Sequence, residues 1–254
     1  MQILDFTVTE NTQLTRDIWR ISLAEPMIDH SEAMEPHRRC PQVGQFVNLK
    51  IDGLYLRRPI SICDWEDGVY TLIYRVVGQG TEKLAQAKPG QIINMLTGLG
   101  NGFTIMPTQR PLLIGGGVGV PPLYYLAKEL VKAGQRPIAL LGFAKQDDVF
   151  YTDEFAAVCE TKIVVGGYVT DELPADYDAI YACGPEPMLR AIDRTAKALA
   201  PGHVQLSFEA RMACGFGACM ACTCRTQRGY KRICKDGPIL TREEIQWPPP
   251  ASRA

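Results

Sequence analysis

Five of the nine cysteines fall between residues 214 and 234, in the stretch CGFGACMACTC and at Cys234. Cys214, Cys219, Cys222 and Cys234 are spaced C-x4-C-x2-C-x11-C. The first three match the plant-type ferredoxin spacing for a 2Fe–2S cluster, whose fourth thiolate comes from further along the chain. Thiolates are soft ligands for iron, and four of them complete two tetrahedral irons bridged by sulfide. A loop around such a cluster must turn sharply and direct backbone N–H groups at sulfur. Gly215 and Gly217 permit the positive φ this needs, and Ala213, Ala218 and Ala221 leave room. A structural zinc site also takes four cysteines, but such sites usually arrive as two C-x2–4-C knuckles, and Cys234 has no such mate. Cys224 follows Cys222 by two residues and could face the same side of an extended segment. Spacing alone does not remove it from the ligand set, and it is read as a small buried residue.

The N-terminal MQILDFTVTE lacks a basic stretch followed by an apolar one, so no secretory leader is expected. Nine cysteines in such a chain point to a reducing, cytoplasmic setting with thiols used as ligands rather than disulfides. A formal net charge of −1 provides no field favouring nucleic acid or an anionic membrane surface. The longest uncharged run, 111–127, is broken by Gly115, Gly116, Gly117, Gly119, Pro121 and Pro122 and makes a poor membrane span.

The chain divides into three by rhythm. Residues 1–105 hold short β-branched and aromatic runs: ILDFTV, IWRISLA, QFVNLKI, RRPISIC, VYTLIYRVV and, after a helical TEKLAQA, QIINML. Six antiparallel strands of this spacing fit a small barrel. The polar stretch 29–42 reads as a surface loop. Residues 106–208 alternate apolar strands (PLLIGGG, RPIALLGFA, KIVVGG, DAIYACG) with helices at 121–134, 152–158 and 186–200, the pattern of a parallel sheet with right-handed crossovers. Residues 209–254 carry the cysteines and end in WPPPASRA. The expected class is therefore α+β and multidomain: an antiparallel β-barrel, an α/β parallel-sheet domain and a small C-terminal cluster lobe.

A cluster of this kind passes one electron and makes or breaks no substrate bond, so another part of the chain must feed it. Gly115, Gly116, Gly117 and Gly119 form a turn between a buried strand and a helix, where N–H groups could meet a pyrophosphate. The sequence is not G-x-G-x-x-G, and a merely tight turn reads the same way. Cys183-Gly184-Pro185 ends a strand where a doubly wound sheet opens its ligand crevice, and a flat ring could approach the backbone at Gly184. Cys183 reads equally as a buried core thiol. In the barrel, Arg58, Ser61 and a helix start at Gly80-Thr81 could together neutralise a pyrophosphate, with a salt-bridged strand as the plain alternative.

These motifs carry a resemblance. Arg58-Pro59-Ile60-Ser61 is similar to the R-x-Y-S/T flavin motif of the ferredoxin reductase superfamily, with Ile60 in place of tyrosine. GGGVGVPPLYYLAK and CGPEPML resemble its nicotinamide-domain motifs. With the cysteine pattern behind them, the chain resembles the electron-transfer subunits of dihydroorotate dehydrogenase B over nearly its whole length. Ala210 stands where that family often has a second acidic residue. The resemblance implies FAD, a 2Fe–2S cluster and NAD as cofactors. Arg58, Pro59, Ile60 and Ser61 would flank the isoalloxazine and phosphates. Ile73, Tyr74 and Arg75 would line the ring system, and Gly80 and Thr81 would hold the pyrophosphate. NADH would dock near Gly115–Gly119 and Cys183–Pro185. The partner would be an FMN-containing catalytic subunit oxidising dihydroorotate to orotate in pyrimidine biosynthesis, in a heterotetramer of two of each. No side chain is assigned as catalytic acid or base. The alternative is a flavin and iron–sulfur NAD(P)H oxidoreductase subunit of a hydrogenase, sulfide dehydrogenase or transhydrogenase complex. Residues 225–235, with five basic residues and no acid, are expected to dock an acidic partner surface.

Overall fold

The structure, a computed structural model, describes residues 1–26, 40–196 and 198–247. The expected loop at 29–42 lies outside these apart from its last three positions, as does the tail beyond Trp247.

Strands β1 (Gln2–Gln13), β2 (Ile18–Ala24), β3 (Phe46–Leu49), β4 (Arg58–Glu66), β5 (Val69–Arg75) and β6 (Ile92–Leu99) close into an antiparallel barrel in the order β1-β2-β5-β4-β3-β6. The period-2 alternation of side chains sorts each strand into two faces. Val47, Leu49, Ile60, Ile62, Leu72 and Tyr74 join the barrel's own core. The short helix α1 (Gln79–Ala85) adds Leu84 to it.

β7 (Pro111–Gly116), β8 (Ile138–Phe143), β9 (Glu160–Val165), β10 (Ala179–Cys183) and β11 (Val204–Ser207) form a parallel sheet. β7 and β10 are buried along their whole length, as central strands covered on both faces must be. Helices α2 (Pro122–Lys132), α3 (Thr152–Val158) and α4 (Glu186–Thr195) pack on the sheet. The cysteine-bearing segment supplies a hairpin of β12 (Thr223–Thr226) and β13 (Gly229–Arg232), the single turn α5 (Ile233–Asp236), and β14 (Ile239–Thr241). β14 pairs antiparallel with β11, so the full order is β14-β11-β10-β7-β8-β9.

The parts share cores. Ile18, Cys63 and Ile73 of the barrel pack with Leu113, Val120 and Leu123 of the sheet layer. Phe46, Leu96 and Leu99 pack with Leu112, Cys222, Ile233 and Cys234. Lys128 of α2 places Nζ 2.8 Å from Asp64 Oδ2 of β4, with both side chains mostly buried. Tyr181 of β10 accepts the Met106 N–H at 2.9 Å and donates to the Thr104 carbonyl at 3.2 Å, fastening the chain between barrel and sheet.

Two expectations shift. The helix expected over 186–200 ends at Thr195, whose hydroxyl donates to the Ala191 carbonyl at 2.8 Å, a bond that competes with the helical ladder. The four strands expected in the sheet are joined by β11 and β14, of four and three residues, too short to display a period.

Candidate functional site

β4 pairs with β3 so that Pro59 lies opposite Asn48 and Ser61 opposite Phe46. Pro59 is exposed and Ser61 half-buried, while Ile60 is buried among the barrel core. The first and third residues of the motif thus part from Pro59 and Ser61, which share the outer face. Arg58 lies over the start of α1: a side chain begun at Gly80 would sit 2.2 Å from its Nε. Its guanidinium donates to the Leu56 carbonyl. The Thr81 hydroxyl is committed locally. It accepts the N–H groups of Val77 at 3.0 Å and Gly78 at 3.3 Å and donates to the Gly78 carbonyl. Thr81 can therefore offer a phosphate its backbone N–H, one of the first-turn donors that have no helical partner. Arg58, Gly80 and Thr81 are brought together; Ser61 has no hydrogen bond to any of them.

Residues 73–75 are split by the strand. Ile73 packs toward the sheet layer. Tyr74 turns into the barrel, where its hydroxyl donates to Asn11 Oδ1 at 3.3 Å and burial raises its pKa. Its ring therefore lies on the opposite face of the strand from Ile73. Arg75 pairs with Asp17 at 3.1 Å and reaches toward Gly117, its Nη2 3.9 Å from where a Gly117 side chain would begin.

Gly115–Gly119 and Cys183–Gly184 meet at the carboxyl ends of neighbouring parallel strands, with Cys183 opposite Gly115. Chain order reverses there, β8 and β9 lying on one side and β10 and β11 on the other, which is where such sheets open a crevice. The approach is backbone to backbone. A side chain at Gly119 would sit 2.2 Å from the Cys183 carbonyl oxygen, and one at Gly184 3.1 Å from the Gly116 nitrogen. Gly117 has φ +53°. The Cys183 thiol is buried, and burial pushes it up to about 12, against a hydrogen bond with Ser207. What this strand end presents to the crevice is backbone, with Pro185 exposed beside it. Glu209, just past β11, is near enough to feel the charge of Arg75, while burial raises its own pKa. Sequence reasoning left Glu209 out, because a single acid after a strand carries no signal.

The four cysteines form two pairs. The Cys219 N–H donates to Cys214 Sγ at 3.5 Å, and the Cys234 N–H to Cys222 Sγ at 3.4 Å. Burial alone would raise the Cys214 thiol. N–H groups of Cys219, Phe216 and Ala218, with the Cys219 thiol, outweigh it and bring Cys214 down to about 6. Cys234 is pushed up to about 12 by burial and by the sulfurs of Cys222 and Cys214. Gly215 (φ +79°) and Gly217 (φ +92°) make the turns, and Met220 adopts φ +63° without being glycine. Among the described residues, no three His, Cys, Asp or Glu side chains close on a single ion. The donor set suits two irons, with N–H groups already aimed at sulfur. Cys224 is half-buried on β12 and lies outside both pairs.

The lobe is braced. Arg232 binds Asp236 through Nε at 2.9 Å and gives Nη1 to the Gly217 carbonyl at 2.9 Å, while Lys231 pairs with Glu244. Two of the five basic residues expected to dock a partner are therefore engaged within the lobe. Trp247 donates to Asp193 of α4 at 2.6 Å, anchoring the segment's far end.

A closed antiparallel barrel beside a doubly wound sheet, with the strand-end glycines and the cysteine loop at their junction, defines a ferredoxin-reductase-type electron carrier. A family model described as the iron-sulfur cluster binding domain of dihydroorotate dehydrogenase B matches residues 209–246. The dihydroorotate dehydrogenase B (NAD(+)) electron transfer subunit of Bacillus caldolyticus is 45% identical over 226 residues, 80% of this chain and 86% of that protein. Its counterpart in Fusobacterium nucleatum is 40% identical over 270 residues, 97% and 99% of the two. Among solved structures, an NADH-dependent reduced ferredoxin-NADP oxidoreductase superposes with a TM-score of 0.81 at 27% identity, covering 95% of this chain and 90% of that one. Phthalate dioxygenase reductase shares the fold, with a TM-score of 0.66 at 15% identity over 89% and 87%. The chain belongs to the family of dihydroorotate dehydrogenase B electron transfer subunits.

Proposed function

We propose that the chain relays electrons between NAD(H) and an FMN-containing catalytic subunit that oxidises dihydroorotate to orotate, through FAD on the barrel and a 2Fe–2S cluster on the cysteine loop. The working units are residues 1–105 for FAD, 106–208 for NAD(H) and 209–254 for the cluster. The assembly is a cytoplasmic heterotetramer with two of each subunit; among the described residues no helix is long and apolar enough to cross a membrane. Bound FAD would supply hydride exchange with NAD(H) and single-electron exchange with the cluster, chemistry that belongs to the cofactors.

The protein's task is placement. Arg58 and the first-turn N–H groups of Gly80 and Thr81 hold the pyrophosphate. Pro59, Ser61 and Ile73 border the isoalloxazine, and Ile60 and Tyr74 serve from within the barrel by fixing that wall. Arg75 reaches from the flavin side to the Gly117 turn. Gly115, Gly116, Gly117 and Gly119 with Cys183, Gly184 and Pro185 give NAD(H) a flat backbone floor. Cys214 and Cys219 hold one iron, and Cys222 and Cys234 the other.

The observation that carries this reading is adjacency: the loop bearing Cys214 lies directly on β3, the strand paired with the flavin motif. The test is Cys219→Ser. Serine oxygen is a harder and poorer ligand for iron than thiolate, so the cluster is lost. NADH still reduces the flavin, the catalytic subunit still oxidises dihydroorotate with an artificial acceptor, and only dihydroorotate-to-NAD transfer through the complex collapses. A cluster-free variant, still bound to its partner, with near-native coupled activity would refute the relay. The likeness to the ferredoxin-NADP oxidoreductase supports the second reading, a subunit of a hydrogenase, sulfide dehydrogenase or transhydrogenase complex. Co-purification from the native cell decides, because only the first reading brings down an FMN-containing dihydroorotate-oxidising subunit.

A further inference from the structure

Asn48 is a polar residue in the otherwise apolar strand β3, FVNL, and it is only 1% exposed. It lies opposite Pro59 of the flavin motif and shares the outer face of the barrel with it. Its Nδ2 donates to the Cys214 carbonyl at 3.3 Å. That acceptor fixes the orientation of the amide, since the flipped form would set two oxygens against each other. The contact is close enough to demand glycine next door, because a side chain at Gly215 would begin 2.3 Å from Nδ2. From behind, Arg57 Nη1 donates to the Asn48 carbonyl and to the Asn94 carbonyl, both at 3.2 Å, and Nη2 to Asn94 Oδ1 at 2.5 Å. An unbroken line of hydrogen bonds thus runs from β6 through Arg57 and Asn48 to the loop of the first cluster ligand.

The amide is half satisfied: among the described residues, Oδ1 is buried with no hydrogen-bond partner. A buried acceptor left unpaired is unfavourable, and a leucine of the same branched shape would remove it. A residue present only to fill the interface between barrel and lobe has no need of this amide. Departures of that kind concentrate where a fold serves function rather than stability.

We propose that Asn48 is a positioning residue that fixes the backbone of Cys214 against the flavin-binding strand and so sets the spacing between the two redox centres. The inference rests on the flavin and cluster reading above and adds to it a residue that neither the cysteine pattern nor the R-P-I-S motif contains. Asn48 touches no iron. It acts through the Cys214 carbonyl, as outer partners of metal ligands do.

The test compares the native full chain with Asn48→Leu, which keeps the branched shape and loses the donor, and with Asn48→Ser, which keeps a donor on a shorter arm. Iron and FAD are measured first, and their absence from the native chain would defeat the underlying reading rather than this one. In the Leu variant, flavin reduction by NADH keeps its native rate. Electron passage to the cluster, followed by rapid mixing, slows roughly ten- to a hundredfold, the usual cost of losing such a partner. The EPR spectrum of the reduced cluster shifts, and the melting temperature does not fall. The Ser variant lies between. In the chain free of both cofactors, hydrogen exchange at residues 213–218 rises in the Leu variant, a readout independent of activity. Native transfer rates in both variants, or a stability loss without any change in cluster spectrum or loop exchange, would overturn the proposal.

Discussion

Replacing Gly119 by alanine strikes the closest backbone contact at the proposed nucleotide site. The new carbon would lie 2.2 Å from the Cys183 carbonyl oxygen, 2.4 Å from its carbon and 2.6 Å from Gly184 Cα. Ordinary contacts between carbon and a carbonyl oxygen fall at about 3.3–3.6 Å, so roughly 1 Å of overlap must be relieved. No flexible side chain can yield, because all three atoms belong to backbone at the end of a strand hydrogen-bonded on both sides. Overpacking of this kind typically costs about 1–3 kcal/mol, and the rigid neighbours place Gly119→Ala near the top of that range. For a chain of this size, about 3 kcal/mol lowers the melting temperature by roughly 6–12 °C. Misplacing the turn by about 1 Å slows flavin reduction by NADH by roughly a hundredfold. FAD and iron content stay native, since their residues lie on other elements. Gly167→Ala is the control: its new carbon meets only Val164 Cγ1, at 3.4 Å, an ordinary contact. Thermal melting and anaerobic stopped-flow mixing with NADH provide both readouts. If Gly119→Ala behaves like Gly167→Ala in both, the floor of the crevice is not where NAD(H) binds.

Two further outcomes follow from the same geometry. Gly80→Ala pushes a carbon onto Arg58 Nε, and loss of that charge-assisted contact weakens FAD retention by roughly ten- to a hundredfold, measured by flavin released on gel filtration; native retention would detach Arg58 from the phosphate role. In the cluster-loaded chain at pH 8, the exposed Cys40 alkylates while Cys183, its thiol pushed up to about 12 by burial, stays neutral and protected; rapid modification of Cys183 mapped by mass spectrometry would contradict its placement in the core.

The large features were legible because each rests on a local rule. The β-branched runs of residues 1–105 wrote the barrel, and the strand–helix rhythm wrote the parallel sheet. The C-x4-C-x2-C spacing pointed to the cysteines proposed to hold the cluster. Three kinds of information were not local. β11 and β14 are too short for a period, and β14 exists as an edge strand only because the cysteine segment folds back onto β11. The faces of β5 depend on register, so Ile73 and Tyr74, adjacent in sequence, end on opposite sides of a wall. The basic run at 225–235 read as a docking face, but the pairing of Lys231 with Glu244 and of Arg232 with Asp236, acids further along the chain, was not legible in it. Asn48 left a trace, a polar residue inside an apolar strand, but its role depends on Cys214, far away in sequence.

The central claim is that one chain holds a two-electron flavin and a one-electron cluster in series. Anaerobic reductive titration of the native chain with dithionite, followed by flavin absorbance and the EPR signal of the reduced cluster, counts those electrons directly. The account predicts uptake of about three electrons per chain, two by flavin and one by a paired-iron cluster. Uptake of two electrons by a chain carrying flavin but no iron, with the cysteines bound to zinc or to nothing, would contradict it.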